Sequence, residues 1–196
     1  MILLTAIAAG TLAGWGYAKW NGKTWQPPIF RATWLVALGF LPQLMAFYLP
    51  LTRRLLPDGL ASASLIVSQL MLLVFTFANL RLPGMPVLML GLACNLAVIL
   101  ANGGFMPLPV EAAARLVDRS VLESLTVGAR VSSASKDILL PESEILLPWL
   151  ADRFVVPPPS PYRFAFSLGD VFIAVGTFWL LLVGRSATRT TGSGDS

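Results

Sequence analysis

The chain has 196 residues, of which 56% are hydrophobic and 12% charged, with a formal net charge of +4. Soluble domains carry roughly 25% charged residues, so this composition points away from them and toward an integral membrane protein. The sequence contains no histidine, which removes the commonest metal ligand and the usual general base, and Cys94 alone cannot form an intramolecular disulfide.

Mean hydropathy is +0.73. The basic residues fall mostly between apolar runs, where they orient spans and meet lipid headgroups. No aromatic–basic array of the kind that grips single strands is present, so no nucleic-acid partner is expected.

Five apolar stretches approach the ~20 residues needed to cross a bilayer. The first, residues 2–18, carries Gly10 and Gly14 as a small-xxx-small pair that suits close helix packing. It lacks the basic start of a signal peptide and reads as a retained span. Tyr17 and Trp20 fit an interfacial belt, and Pro27-Pro28 break the following loop. The second span, 33–51, holds Pro42, which should kink it, and Gln43, which should bond a neighbouring helix or freed carbonyls. The third, 60–80, places Gln69 and Thr76 on one face that should point at protein. Arg81-Leu82-Pro83-Gly84 is a tight connection, so the second, third and fourth spans should pack in sequence. The fourth, 85–102, presents Asn95 and Asn102 on one face and ends in Asn102-Gly103-Gly104.

Residues 103–165 form a segment too long to lack structure of its own. Val110, Ala114, Val117, Val121 and Leu125 recur at helical spacing and predict an amphipathic helix, lying on the membrane or capping the bundle. Residues 127–137 read as a loop, 143–154 as a second short helix, and 157–161 as a stiff polyproline stretch. The fifth span is 167–183, followed by a disordered tail, 186–196. The expected fold is therefore all-α: a single five-span bundle with a partly helical extramembrane segment between the fourth and fifth spans. The positive-inside rule places the N-terminus outside and the C-terminus in the cytoplasm of a multi-pass plasma-membrane protein.

Two stretches carry a resemblance. Asn95 through Asn102-Gly103-Gly104-Phe105-Met106-Pro107 closes the fourth span, and Phe166-Ser167-Leu168-Gly169-Asp170-Val171 opens the fifth. With the N-terminal Ile-Leu-Leu span, these resemble a family of small bacterial membrane proteins catalogued as domain of unknown function 5317. The resemblance implies a bundle of about five spans and no established activity.

Asp170 is the sole acidic residue within a span, and an ionised carboxylate there is costly enough to suggest function. Ser167-x-x-Asp170 also has the form of a capping box, which would make Asp170 a first-turn stabiliser. Asn95, Asn102, Ser167 and Asp170 can converge on a polar ligand, since the long segment keeps the two span ends on one membrane side. The competing reading is that Asn95 bonds another helix and Asn102 caps its own. Arg115 and Arg163 are candidates for lipid headgroup contact, or else solvated charge among the acidic residues of the same segment.

No catalytic or metal-binding constellation and no cofactor motif is present, because a Ser without His or intramembrane Lys has no evident activator. The chain therefore reads as a non-enzymatic accessory or scaffold protein. Its partners would be the bilayer, with another membrane protein or anionic lipid. The alternative is a small transporter or lipid- or small-molecule-binding protein with its site at the outer ends of the fourth and fifth spans.

Overall fold

The computed structural model describes residues 2–156 and 163–188. Five apolar helices form a bundle whose one end is covered by the long connection between the last two. Helix α1 spans Ile2–Trp20 and leads into strand β1, Lys23–Gln26. Helix α2, Trp34–Gln43, continues as a π-helical turn, Leu44–Tyr48, before a short helix α3, Pro50–Leu55. Then come α4, Asp58–Ala78, and α5, Met85–Ala101.

The second apolar stretch is shorter than the expected 33–51. Pro42 has no N–H for the ladder, and the helix beyond it widens until Leu49 N–H reaches Leu44 O at 2.9 Å, five residues back. Leu49 is extended ahead of Pro50, as a residue before proline prefers, and the helix ends there. Among the described residues one helix, α4, is long and apolar enough to cross a membrane by length and composition; α2 with its π turn, α5 and the last helix are shorter apolar helices. The expected set of five full-length spans thus reduces to a mostly helical bundle with one such helix.

The covering segment is not the amphipathic helix that its periodicity predicted. Strand β2, Met106–Pro109, is followed by two short helices, α6, Val110–Leu116, and α7, Arg119–Ser124. Val117 and Asp118 are extended between them, so the apolar stripe is cut in two. Strand β3, Asp137–Leu140, then pairs in parallel with β2, Met106 opposite Asp137 and Pro109 opposite Leu140. The fold is therefore not purely helical. The stretch expected as a short helix, 143–154, holds only two 3-10 turns, Glu142–Glu144 and Pro148–Leu150, because prolines interrupt it. Strand β4, Phe154–Val155, pairs with β5, Ala165–Phe166. The polyproline stretch lies outside the described residues.

Helix α8, Leu168–Val183, returns through the bundle, and β6, Arg185–Thr188, pairs antiparallel with β1. The first three tail residues are thus a strand; the remainder, 189–196, lies outside the described residues.

The packing is of two kinds. Around α8 it is backbone against backbone. A Cβ on Gly10 would sit 2.9 Å from Phe178 O, and one on Gly91 2.5 Å from Gly169 O. Gly84 and Gly176 face each other in the same way one heptad along, so α5 and α8 touch through two glycine pairs. Elsewhere side chains interlock. Phe47, Leu65, Ile99 and Phe105 form one buried cluster at the capped end; Leu35, Phe75, Met85 and Leu180 form another at the far end. Gln43 Nε2 donates to Ser68 Oγ at 2.6 Å, joining α2 to α4 as the sequence led one to expect.

Candidate functional site

The end of α5 and the start of α8 meet under the cap. Asn95 Nδ2 donates to Asp170 Oδ1 at 3.0 Å, and Ser167 Oγ donates to Asn95 Oδ1 at 3.0 Å. Asp170 N–H donates to Ser167 Oγ at 3.0 Å, while Ser167 N–H donates to Asp170 Oδ2 at 3.1 Å, completing a reciprocal capping box. Asn95 and Ser167 are buried. The approach that permits this network depends on Gly169, where any Cβ would overlap Asn95 Oδ1. Three of the four candidate residues therefore come together, and they spend their polar atoms on one another.

Asn102 does not join them. It is the C-cap of α5, and its side chain holds a different strand of the chain. Its Oδ1 accepts from Leu146 N–H at 2.9 Å, and its Nδ2 donates to Leu146 O at 2.8 Å and to Val98 O at 2.8 Å. Leu147, the next residue, has φ 59°, a conformation costly for leucine, so the clamp over-determines a strained turn. Arg115 is exposed on α6, and Arg163 lies 3.9 Å from Asp118 with both side chains open to solvent.

A second polar group lies nearby in the cap, and sequence reasoning missed it. Lys136 Nζ is 3.4 Å from Asp152 Oδ2; the Asp152 side chain is only 4% exposed, whereas that of Lys136 is 42% exposed. Asp152 N–H donates to Pro107 O at 3.0 Å, which fixes the residue against β2. Asp152 Oδ1 and Asp137 Oδ1 are buried without a hydrogen-bond partner. Burial pushes the Asp152 carboxyl up to about 7; Lys136 opposes the rise, and the charges of Asp137 and Asp170 add to it. For Lys136, burial acts to lower the pKa, but Asp152, Asp137 and Asp170 outweigh it and hold the ammonium above its ordinary value. The one available sign in the sequence was Lys136 itself, the sole lysine after Lys23.

Arg130 was also missed. Its side chain is 8% exposed, pairs with Asp58 at 2.9 Å, and donates to Ser133 O at 2.8 Å and Ser135 O at 3.2 Å. Its guanidinium lies 5.3 Å from the Phe47 ring centre and 5.2 Å from that of Phe105. It therefore ties the loop before β3 to α4, to the π turn of α2 and to the exit from α5.

Chemically, this end offers a paired lysine, a carboxyl able to hold a proton near neutrality, and a self-satisfied amide–hydroxyl–carboxylate network. Among the described residues no group of three or more Cys, Asp or Glu is placed to hold a metal ion.

The model of a family of unknown function, DUF5317, matches residues 29–182. The chain belongs to that family. The match takes in α2 through nearly all of α8, and so both polar groups just described; α1, β1 and β6 lie outside it. No curated protein and no solved structure matches the chain.

Proposed function

We propose that this family member is an integral membrane protein of about five spans, acting as a non-enzymatic accessory or scaffold subunit in the plasma membrane. One observation carries the reading: the helices turn large apolar side chains outward while their polar groups are used internally. Leu4, Leu12 and Trp20 on α1, Leu51 on α3 and Phe77 on α4 are all more than 60% exposed. Exposure of so many large apolar side chains matches lipid or another membrane helix. The shorter helices can cross with local bilayer thinning or flanking anchors.

The charge distribution supports the expected orientation. Against Arg53 and Arg54 in the short connection at the capped end stand Lys19, Lys23, Arg31, Arg81 and Arg185 at the other end. That end would face the cytoplasm and the cap the outside. A binding or transport site at Asn95, Asn102, Ser167 and Asp170 has less support, because a ligand would have to displace bonds these groups already make.

Alkaline carbonate washing of membranes followed by native mass measurement in mild detergent tests the proposal. Retention in the membrane and a stoichiometric protein partner are expected. Release by carbonate refutes the membrane reading. A solitary monomer whose deletion changes no complex refutes the subunit reading.

A further inference from the structure

The uncapped end holds a cavity of about 330 Å³ lined by Trp15, Lys19, Gly22, Lys23, Thr24 and Trp25. It is formed where the last turn of α1 meets β1. One wall is rigid: Trp25 Nε1 donates to Leu181 O at 3.0 Å, and the indole fills the space left by Gly14 and Gly184. Lys19 Nζ lies 5.1 Å over the Trp15 ring, which holds the ammonium at the mouth. Among the described residues neither Lys19 nor Lys23 has a carboxylate partner, and no acidic residue lies at this end. Two ammonium groups without a carboxylate partner among the described residues, in a groove lined by two indoles, suit a phosphate bearing an apolar body. Indoles settle at headgroup depth, and lysines beside a span draw anionic lipid.

We propose that the groove between α1 and β1 is a binding site for the phosphate headgroup of an anionic phospholipid, with Lys19 and Lys23 contacting the phosphate and Trp15 and Trp25 the adjoining glycerol and acyl region. The proposal rests on the membrane reading above. It concerns residues that precede the family match, which begins at residue 29.

The test uses the full-length protein, first confirmed to resist carbonate extraction, so that loss of the membrane reading is seen separately. Native mass spectra are recorded from nanodiscs of phosphatidylglycerol and phosphatidylcholine. Wild type should retain a phosphatidylglycerol in preference to phosphatidylcholine. Lys19→Gln with Lys23→Gln should weaken that retention by about twenty-fivefold, at roughly fivefold for each lysine removed. Lys19→Arg with Lys23→Arg should restore it and so show that the fold is intact. Arg31→Gln with Arg81→Gln, which removes the same charge from the same end, should leave it unchanged. Equal loss in the two Gln pairs would show diffuse attraction and overturn the site. Displacement of the lipid by millimolar inorganic phosphate or glycerol phosphate, with no dependence on acyl chains, would assign the groove to a soluble phosphate and overturn the lipid.

Discussion

The two ends of the bundle share one device and differ in everything around it. At the capped end Asn102, C-cap of α5, grips both backbone groups of Leu146 and donates to Val98 O four residues back. At the other end Asn79, C-cap of α4, does the same. Its Oδ1 accepts from Arg31 N–H at 2.7 Å, and its Nδ2 donates to Arg31 O at 2.9 Å and to Phe75 O at 2.8 Å. In each case the residue after the gripped one has positive φ: Leu147 at 59° and Ala32 at 53°. A helix end leaves carbonyls without partners, and one amide satisfies a carbonyl while pinning a loop that could not hold its conformation alone. The surroundings diverge. The capped end adds an ion pair around a buried aspartate and a sandwiched arginine; among the described residues the open end has only cations. The same clamp thus serves a sealed end and an end left free to meet anions.

Substitutions that act on both ends, or on one alone, separate these roles. The largest effect is expected where both ends depend on one seam. Gly91→Val drives a side chain into the Gly169 carbonyl and Ile173 N–H of α8, backbone atoms that cannot yield. Overpacking of this kind costs about 3 kcal/mol or more. The measurement is the folded fraction by size exclusion in detergent; a monodisperse, heat-stable variant would refute the seam.

Arg130→Ala should damage the capped end alone, by about 2–3 kcal/mol, since it removes charge-assisted hydrogen bonds and the contact with two rings. Limited proteolysis should then cut within residues 126–140 before it touches β1. Lysine should rescue only in part, lacking the planar fork.

Asn79→Ala and Asn102→Ala should each cost about 1–3 kcal/mol, because each leaves buried backbone groups unpaired. The clamps lie at opposite ends without a shared partner, so the double variant should add the two losses. Thermal unfolding of the three variants decides this, and one silent variant would show that its end does not need its clamp.

A last effect concerns pH. The fold pushes the Asp152 carboxyl up to about 7, against 3.8 for a free aspartate. Between these values the folded protein keeps a proton that the unfolded chain has lost, so the contribution to stability falls as pH rises. Asp152→Asn removes this slope. Wild type should therefore lose stability relative to the variant as pH is raised from about 4 to about 7, and parallel Tm curves would refute it. Lys136, held above its ordinary value, keeps its contribution throughout that window and loses it only at alkaline pH.

Local patterns in the chain were enough to mark the bundle helices, the capping box of Ser167 and Asp170, the small-residue face of α1 and the C-cap role of Asn102. Each rests on a neighbour within one or two helical turns, or on apolar surface that must be removed from water. The sequence also placed Asn95, Ser167 and Asp170 on two ends that the chain must bring to one side. What it could not carry was pairing at long range. The periodicity over residues 110–125 is real, but an extended Val117–Asp118 splits the helix. Lys136 and Asp152 are sixteen residues apart, as Asp58 and Arg130 are seventy-two apart, and nothing in either neighbourhood names the other. Glycine facing glycine across α5 and α8 is likewise a property of two helices, since a missing Cβ matters only where a second backbone fills its place. Composition and local hydrogen bonding determined which segments are helical. The fold alone sets which charges meet in the cap and, among the described residues, which end holds lysines without a carboxylate partner, because those energies depend on distances between segments far apart in the chain.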